Sequence, residues 1–152
     1  MTTKLLGLSM SEQLKLENQL CFRLYNLNKA MNRLYAPLLN DLGLTYPQYL
    51  VMLVLWQSSQ AMSVKLLGKQ LDLDSGTLSP LLKRIEKMAL ITRKRNKRDE
   101  RVVEISLTES GSKLKESAEC IPTKMLTKTG LSVADIFTLN NTLDTLSNNI
   151  RP

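Results

Sequence analysis

The chain has 152 residues, 21 Lys+Arg against 14 Asp+Glu for a formal net charge of +7, and no histidine. A chain of this length buries roughly 70% of its unfolded surface and needs no disulfide staples, and 43% hydrophobic with 23% charged residues is a globular composition. The missing histidine excludes Ser-His-Asp and Cys-His catalysis and every histidine-ligated metal site, and two cysteines do not close a zinc site alone, so neither metal nor cofactor is expected.

The leucine spacing predicts one long helix from Ser11 to about Asn40, with Leu16, Leu20, Leu24, Leu27, Met31, Leu34 and Leu38 three or four residues apart. Ser11 is its candidate N-cap, Pro37 is expected to loosen its last turn, and Gly43 stops it. Thr45 caps a second helix with Pro47 in its first turn, and the run from Tyr49 to Trp56 is apolar all round, as in a buried helix. Ser63 opens a short helix from Val64 to about Gln70 with Leu66 and Leu67 inward. After the tight connection Leu71-Asp72-Leu73, Asp74 or Ser75 caps a helix to about Met88 whose buried face is Leu78, Leu81, Leu82 and Ile85. Leu90-Ile91-Thr92 and Val102 to Leu107 read as two strands of a hairpin around a basic tip. Thr108 caps a helix with Leu114, Ala118 and Ile121 inward and a break at Pro122. Ser132 caps the last helix, striped with Ile136, Leu139, Leu143, Leu146 and Ile150.

This order predicts a mainly α fold with a small β-wing: a winged helix-turn-helix with N- and C-terminal dimerisation helices. We divide the one continuous fold into an N-terminal dimerisation helix (1–45), a DNA-binding region (46–107) and C-terminal dimerisation helices (108–152). The outer helices carry more apolar stripe than one small domain needs, so a homodimer is expected, pairing two reading heads as a pseudo-palindromic site in double-stranded DNA requires. No stretch approaches the ~18 apolar residues of a membrane span, and the apolar run after Met1 is too short for a secretory signal. A cytoplasmic chain with no membrane partner is expected, with Cys21 and Cys120 reduced.

The charge is concentrated. Between Lys83 and Arg101 lie nine basic residues and three acidic ones, so nine minus three places +6 of the +7 in this window. A cationic run alone is as often a solvated face or a lipid patch. Its position on the end of a presumed recognition helix and its wing favours nucleic acid. Ser75, Thr77 and Ser79 are small enough to let the helix sit deep in a major groove, and Lys83 and Arg84 reach the backbone. On the wing, Arg93, Arg95, Lys97 and Arg98 suit phosphate contacts and the narrow minor groove. Asp99 and Arg101 lie two apart on one strand side, where they would pair and stiffen the turn, which gives Arg101 a partly structural role beside its DNA contact.

Cys21, Tyr25, Asn28, Asn32 and Tyr35 form a second, polar stripe beside the leucines. A lone helical cysteine is most often inert filler. Hydroxyl and amide neighbours instead favour a thiolate, the species that attacks peroxide oxygen. Tyr35 lies fourteen residues beyond Cys21, ~21 Å along a straight helix. If it serves Cys21, it comes from a second subunit.

The runs Leu16-Glu17-Asn18-Gln19-Leu20-Cys21-Phe22, Leu42-Gly43-Leu44-Thr45-Tyr46-Pro47-Gln48-Tyr49-Leu50-Val51-Met52 and Leu71 to Arg84, with Asp99-Glu100-Arg101 in the wing, resemble the MarR family of winged-helix regulators and its OhrR branch, which senses organic hydroperoxides. The resemblance spans about Leu16 to Pro122. It implies a homodimeric repressor whose reactive thiol is Cys21, served by Tyr35 and Tyr46 with Tyr25 nearby, and whose chemical partners are organic hydroperoxides and small cellular thiols. In two-cysteine members the resolving cysteine lies near Leu126 to Lys128; here Cys120 precedes Ile121-Pro122 and is a candidate resolving cysteine or a bystander. Two other readings stand beside this one: a MarR-type repressor released by a non-covalent ligand, and a thiol peroxidase.

Overall fold

The computed structural model describes Gly7 and residues 9–58, 60–96 and 98–150. The long N-terminal helix is broken. Ser9, not Ser11, caps a one-turn helix α1 (Met10–Gln13), exchanging hydrogen bonds with Glu12. A 3-10 turn at Leu16–Asn18 follows before α2 (Leu20–Asn40) begins. The side-chain amides cause the break: Asn18 Nδ2 donates to Glu12 O at 2.8 Å, and Gln19 Nε2 to Gln13 O and Lys15 O, occupying carbonyls a continuous helix would use. At the other end α2 runs through Pro37 to Asn40. It stops where Gly43 turns left-handed (φ +67°) and Leu44 N–H donates to Leu39 O at 3.0 Å.

Helix α3 (Tyr46–Gln57) starts as expected. Gln48 Oε1 accepts from the Thr45 N–H (2.8 Å) and hydroxyl (3.0 Å), and Pro47 sits in the first turn. Tyr49, Val51, Met52, Leu55 and Trp56 are buried and make α3 the centre of the core. A two-residue strand β1 (Met62–Ser63), too short to show a period in sequence, leads into α4 (Val64–Leu71), capped by Ser63. Only Leu67 of the expected inward pair is buried; Leu66 is 46% exposed, because adjacent helical residues point about 100° apart. Asp72 (φ 54°) makes the turn into α5 (Ser75–Lys87). Gly68 allows the close approach, since a Cβ there would lie 2.8 Å from Leu73 O.

Strands β2 (Ile91–Arg95) and β3 (Val103–Leu107) form the antiparallel hairpin, and β1 adds to β3, giving the order β1-β3-β2 with Arg93 and Met62 both opposite Ile105. Helix α6 (Glu109–Ala118) follows, capped by Thr108. The expected break at Pro122 falls instead at Glu119-Cys120: Pro122 lies in the first turn of α7 (Ile121–Thr129), where its missing N–H has no partner to lose. Gly130 ends α7, and α8 (Val133–Ile150) is the last element, with Ser132 and Asp135 exchanging capping bonds. No residue of α8 is buried. Val133 is 71%, Phe137 68% and Ile150 72% exposed, and near the other end Leu14 is 85% exposed. The single chain thus leaves apolar surface uncovered at both ends. No helix among the described residues is long and apolar enough to cross a membrane.

Candidate functional site

Leu78, Leu82 and Ile85 anchor α5 in the core, with Leu81 half-buried, so that Ser75, Thr77, Ser79, Lys83 and Arg84 face outward. The Asp74 carboxylate accepts from the Thr77 N–H (2.9 Å) and hydroxyl (2.8 Å), and these bonds hold its pKa below the usual carboxylate value. The hydroxyl proton of Thr77 is therefore already committed to the cap, and its lone pairs remain for an acceptor role. Ser75 and Ser79 line a hollow of ≈ 590 Å³ between α4, α5 and the wing, bordered by Lys65, Lys69, Arg93 and Arg101.

On the wing, Arg93 Nη2 lies 2.7 Å from Glu86 Oε2, and its Nε donates to the same oxygen at 2.8 Å. This pair ties the base of β2 to α5, a link the sequence reading did not find, although Glu86 is the one acidic residue between Lys83 and Arg98. Lys94, Arg95, Arg98 and Arg101 are exposed. Lys97, expected among the DNA contacts, lies outside the described residues. Asp99 and Arg101 do meet, but through the backbone: Asp99 Oδ1 accepts the Arg101 N–H at 3.0 Å. Arg95 Nη1 donates to Glu100 O at 3.3 Å.

Cys21 is the second residue of α2 and is exposed. Tyr25, one turn on, is 58% exposed with Lys29 Nζ 5.1 Å from its ring centroid. Asn32 Nδ2 donates to Asn28 O (2.9 Å) and Oδ1 (3.2 Å), so part of the polar stripe satisfies itself. At the far end, Tyr35 stacks at a tilt on Tyr46 with centroids 4.7 Å apart, and Tyr49 joins at 6.0 Å. Burial lifts the Tyr35 hydroxyl above the usual phenol range, and Tyr46 adds to the rise. Tyr49 is lifted by burial first, then by Tyr35, Tyr46 and Cys120. Both phenols thus stay protonated and able to donate at neutral pH. Tyr49 was missed from sequence, although its i, i+3 spacing from Tyr46 places both on one face of α3.

The structure therefore gathers Tyr35 and Tyr46, and leaves Cys21 fourteen residues away, at ~21 Å by helical rise. Cys120 sits at the start of α7, exposed, with Sγ 3.7 Å from Ser117 O and within electrostatic reach of Tyr49.

A helix-turn-helix with a three-stranded wing, flanked by helices with uncovered apolar faces, defines a winged-helix regulator. The family described as transcriptional regulator SarA/Rot matches residues 33–118. Over 135 residues the chain is 52% identical to the organic hydroperoxide resistance transcriptional regulator of Bacillus subtilis (strain 168), covering 89% of this chain and 91% of that one. It is 40% identical over 135 residues to the HTH-type transcriptional regulator MgrA of Staphylococcus aureus, with 88% and 91% covered. The structure of reduced AbfR bound to DNA superposes with a TM-score of 0.75 at 32% identity, covering 94% of this chain and 100% of that one. The chain belongs to the MarR/SarA family of winged-helix transcriptional regulators, and its likeness to the hydroperoxide-resistance regulator supports the OhrR branch. Its relatives are regulators and not enzymes.

Proposed function

We propose that this regulator is a homodimeric repressor that binds double-stranded DNA and releases it when Cys21 is oxidised by an organic hydroperoxide. The observation that carries the redox reading is the separation within one chain: the rings of Tyr35 and Tyr46 stack with centroids 4.7 Å apart, and the exposed Cys21 lies ~21 Å of helical rise before Tyr35. An antiparallel crossing of two α2 helices brings the thiol of one chain to the tyrosines of the other. The uncovered apolar residues of α8 and of the segment around Leu14 and Leu16 supply the surface for that pairing. In this arrangement Ser75, Thr77 and Ser79 read the major groove, Lys83 and Arg84 take phosphates, and Arg95, Lys97, Arg98 and Arg101 form the wing contact. Arg93 contributes charge at the wing base while it holds Glu86.

The chemistry balances with the peroxide as oxidant. The Cys21 thiolate attacks one peroxide oxygen, the O–O bond breaks, and one proton is taken up; the products are the sulfenic acid Cys–SOH and an alcohol. A second thiol then condenses with the sulfenic acid, forming S–S and releasing water. That thiol is a small cellular thiol or Cys120 of a second copy, which requires Cα atoms within ~7 Å after rearrangement. The adduct no longer fits the tyrosine-lined interface, and the two heads lose the spacing of half-sites one turn apart. A hundredfold loss of occupancy requires only ~2.7 kcal/mol.

The test is DNA binding by wild type and Cys21→Ser with and without cumene hydroperoxide, followed by intact mass. Loss of binding by wild type alone, with the mass of a Cys21 adduct, is expected. A Cys21→Ser protein that still releases DNA on adding peroxide overturns thiol sensing by Cys21, and release by a phenolic ligand without any mass change favours the non-covalent reading.

A further inference from the structure

Asn96 closes the wing. Its N–H donates to Val102 O at 2.8 Å, adding one rung beyond the Arg95–Val103 pair. Its side chain does more. Asn96 Oδ1 accepts the backbone N–H groups of Arg98 (2.7 Å) and Asp99 (3.1 Å), and Nδ2 donates to Glu104 Oε1 at 2.7 Å. Glu104 lies on β3, the central strand of the sheet, opposite Lys94. From Asp99 the connections continue: its carbonyl accepts the Val102 N–H (2.9 Å) and its carboxylate the Arg101 N–H (3.0 Å). One side-chain amide thus links the middle of the sheet to the backbone of Arg98 and Asp99, and the Asp99 carboxylate in turn holds the backbone of Arg101.

The chemistry demands an amide here. The site needs an acceptor facing the tip and a donor facing a carboxylate, and Asn presents both on one short side chain. Among the described residues Glu104 makes no ion pair, and its carboxylate accepts from and orients the Asn96 amide. Asn96 and Glu104 are half-buried, whereas Lys94, Arg98 and Arg101 are exposed. A loop carrying like charges is ordered only at a cost in conformational entropy and self-repulsion. The bonds to Asn96 meet that cost before any ligand arrives.

We propose that Asn96, oriented by Glu104, is a positioning residue that pre-orders the wing tip so that Arg98 and Arg101 meet nucleic-acid phosphates together. The proposal rests on the DNA-binding reading above. It is tested on the full-length protein with a fluorescent 30-bp random-sequence duplex, measuring affinity by anisotropy between about 50 and 200 mM salt, with thermal unfolding in parallel. The slope of log affinity against log salt counts phosphate contacts, falling by about 0.9 for each one lost. Asn96→Ala is expected to flatten the slope by about one to two for each wing. Asn96→Asp is expected to do the same, because it sets two carboxylates against each other. Asn96→Asp/Glu104→Gln restores the donor–acceptor pair in reverse at the wild-type net charge, and is expected to recover the slope.

An Asn96→Ala protein with the wild-type slope and affinity overturns the proposal, whether or not its melting point falls. So does a double variant no better than Asn96→Asp alone. If wild type shows no salt-sensitive binding to the duplex, the DNA-binding reading fails and takes this proposal with it. That result differs from a wild type that binds and an Asn96→Ala protein that binds equally well.

Discussion

Gly111→Ala overpacks the contact between the start of α6 and Leu90 at the foot of the wing. A Cβ at position 111 would lie 2.0 Å from Leu90 O, 2.9 Å from Leu90 C and 3.3 Å from Leu107 Cδ2, against the 3.4 Å at which ordinary contact begins. The backbone must therefore move by about 1.4 Å (3.4 minus 2.0). Leu90 O cannot retreat freely, because it accepts the Thr108 N–H at 3.0 Å while the Thr108 hydroxyl donates to Ala89 O at 2.6 Å. If α6 moves instead, the buried bond from Trp56 Nε1 to Gly111 O, 2.8 Å, is stretched. Overpacking of this kind costs about 1–3 kcal/mol, and an orphaned indole donor about 1–3 kcal/mol more. The better helix propensity of alanine returns about 0.5–1 kcal/mol. The net loss is roughly 1–5 kcal/mol, and its centre of about 3 kcal/mol lowers the melting temperature by on the order of 6–12 °C in a chain of this size. Circular dichroism melts at equal protein concentration measure it, with Ser110→Ala, an exposed neighbour in the same turn, as control. The chain has one tryptophan, so its fluorescence reports the indole bond directly. A Gly111→Ala protein that melts at or above wild type with unshifted emission refutes the argument.

Three further outcomes follow from the same geometry. The hydrogen bonds from Thr77 depress the Asp74 pKa, so the stability this cap gives is present above the unfolded-state value and is lost as pH falls through the lower folded-state value. Melts of Asp74→Asn between about pH 5 and pH 2.5 should show a shallower acid limb than wild type, and an identical limb would contradict the assignment. Glu86 and Arg93 are each about a third exposed, and a double-mutant cycle with Glu86→Ala and Arg93→Ala should give a coupling of about 0.5–1 kcal/mol; a value near zero means the pair does not fasten the wing. If the proposed homodimer forms through the uncovered face of α8, Leu139→Asp/Leu143→Asp should sediment as a folded monomer where wild type sediments as a dimer, and a variant that still dimerises would place the interface elsewhere.

Most of the reading head was legible because its signals are local. Thr45, Ser63, Asp74 and Thr108 announce helix starts by their own side chains, and the apolar run from Tyr49 to Trp56 announces the core helix. The break at Leu14 was hidden because leucine spacing carries through it, while the bonds that break the helix come from Asn18 and Gln19, ordinary surface residues in a periodicity argument. Strand β1 was hidden because two residues cannot alternate; it exists by pairing with β3. The candidate redox site was only half legible. Fourteen residues of helical rise already kept Cys21 and Tyr35 apart, but the joining of Tyr35 to Tyr46 and Tyr49 depends on how α2 packs on α3. The use of Asn96 and Glu86 inside the basic segment, and of Glu104 just beyond it, was not legible, because composition counts charges without showing which are already bonded.

In the proposed site, Cys21 of one subunit works against the tyrosines of the other. Mixing Cys21→Ser protein with Tyr35→Phe/Tyr46→Phe protein, and exchanging subunits, tests it by the rate of sulfenic acid formation with cumene hydroperoxide. Neither parent has an intact site, but each mixed dimer holds one Cys21 facing an unaltered pair of tyrosines. A rapid phase absent from both parents is expected in about half of the Cys21 thiols, the binomial share held by mixed dimers at equal input. Mixtures that react only at the slow rate of the tyrosine variant would contradict it.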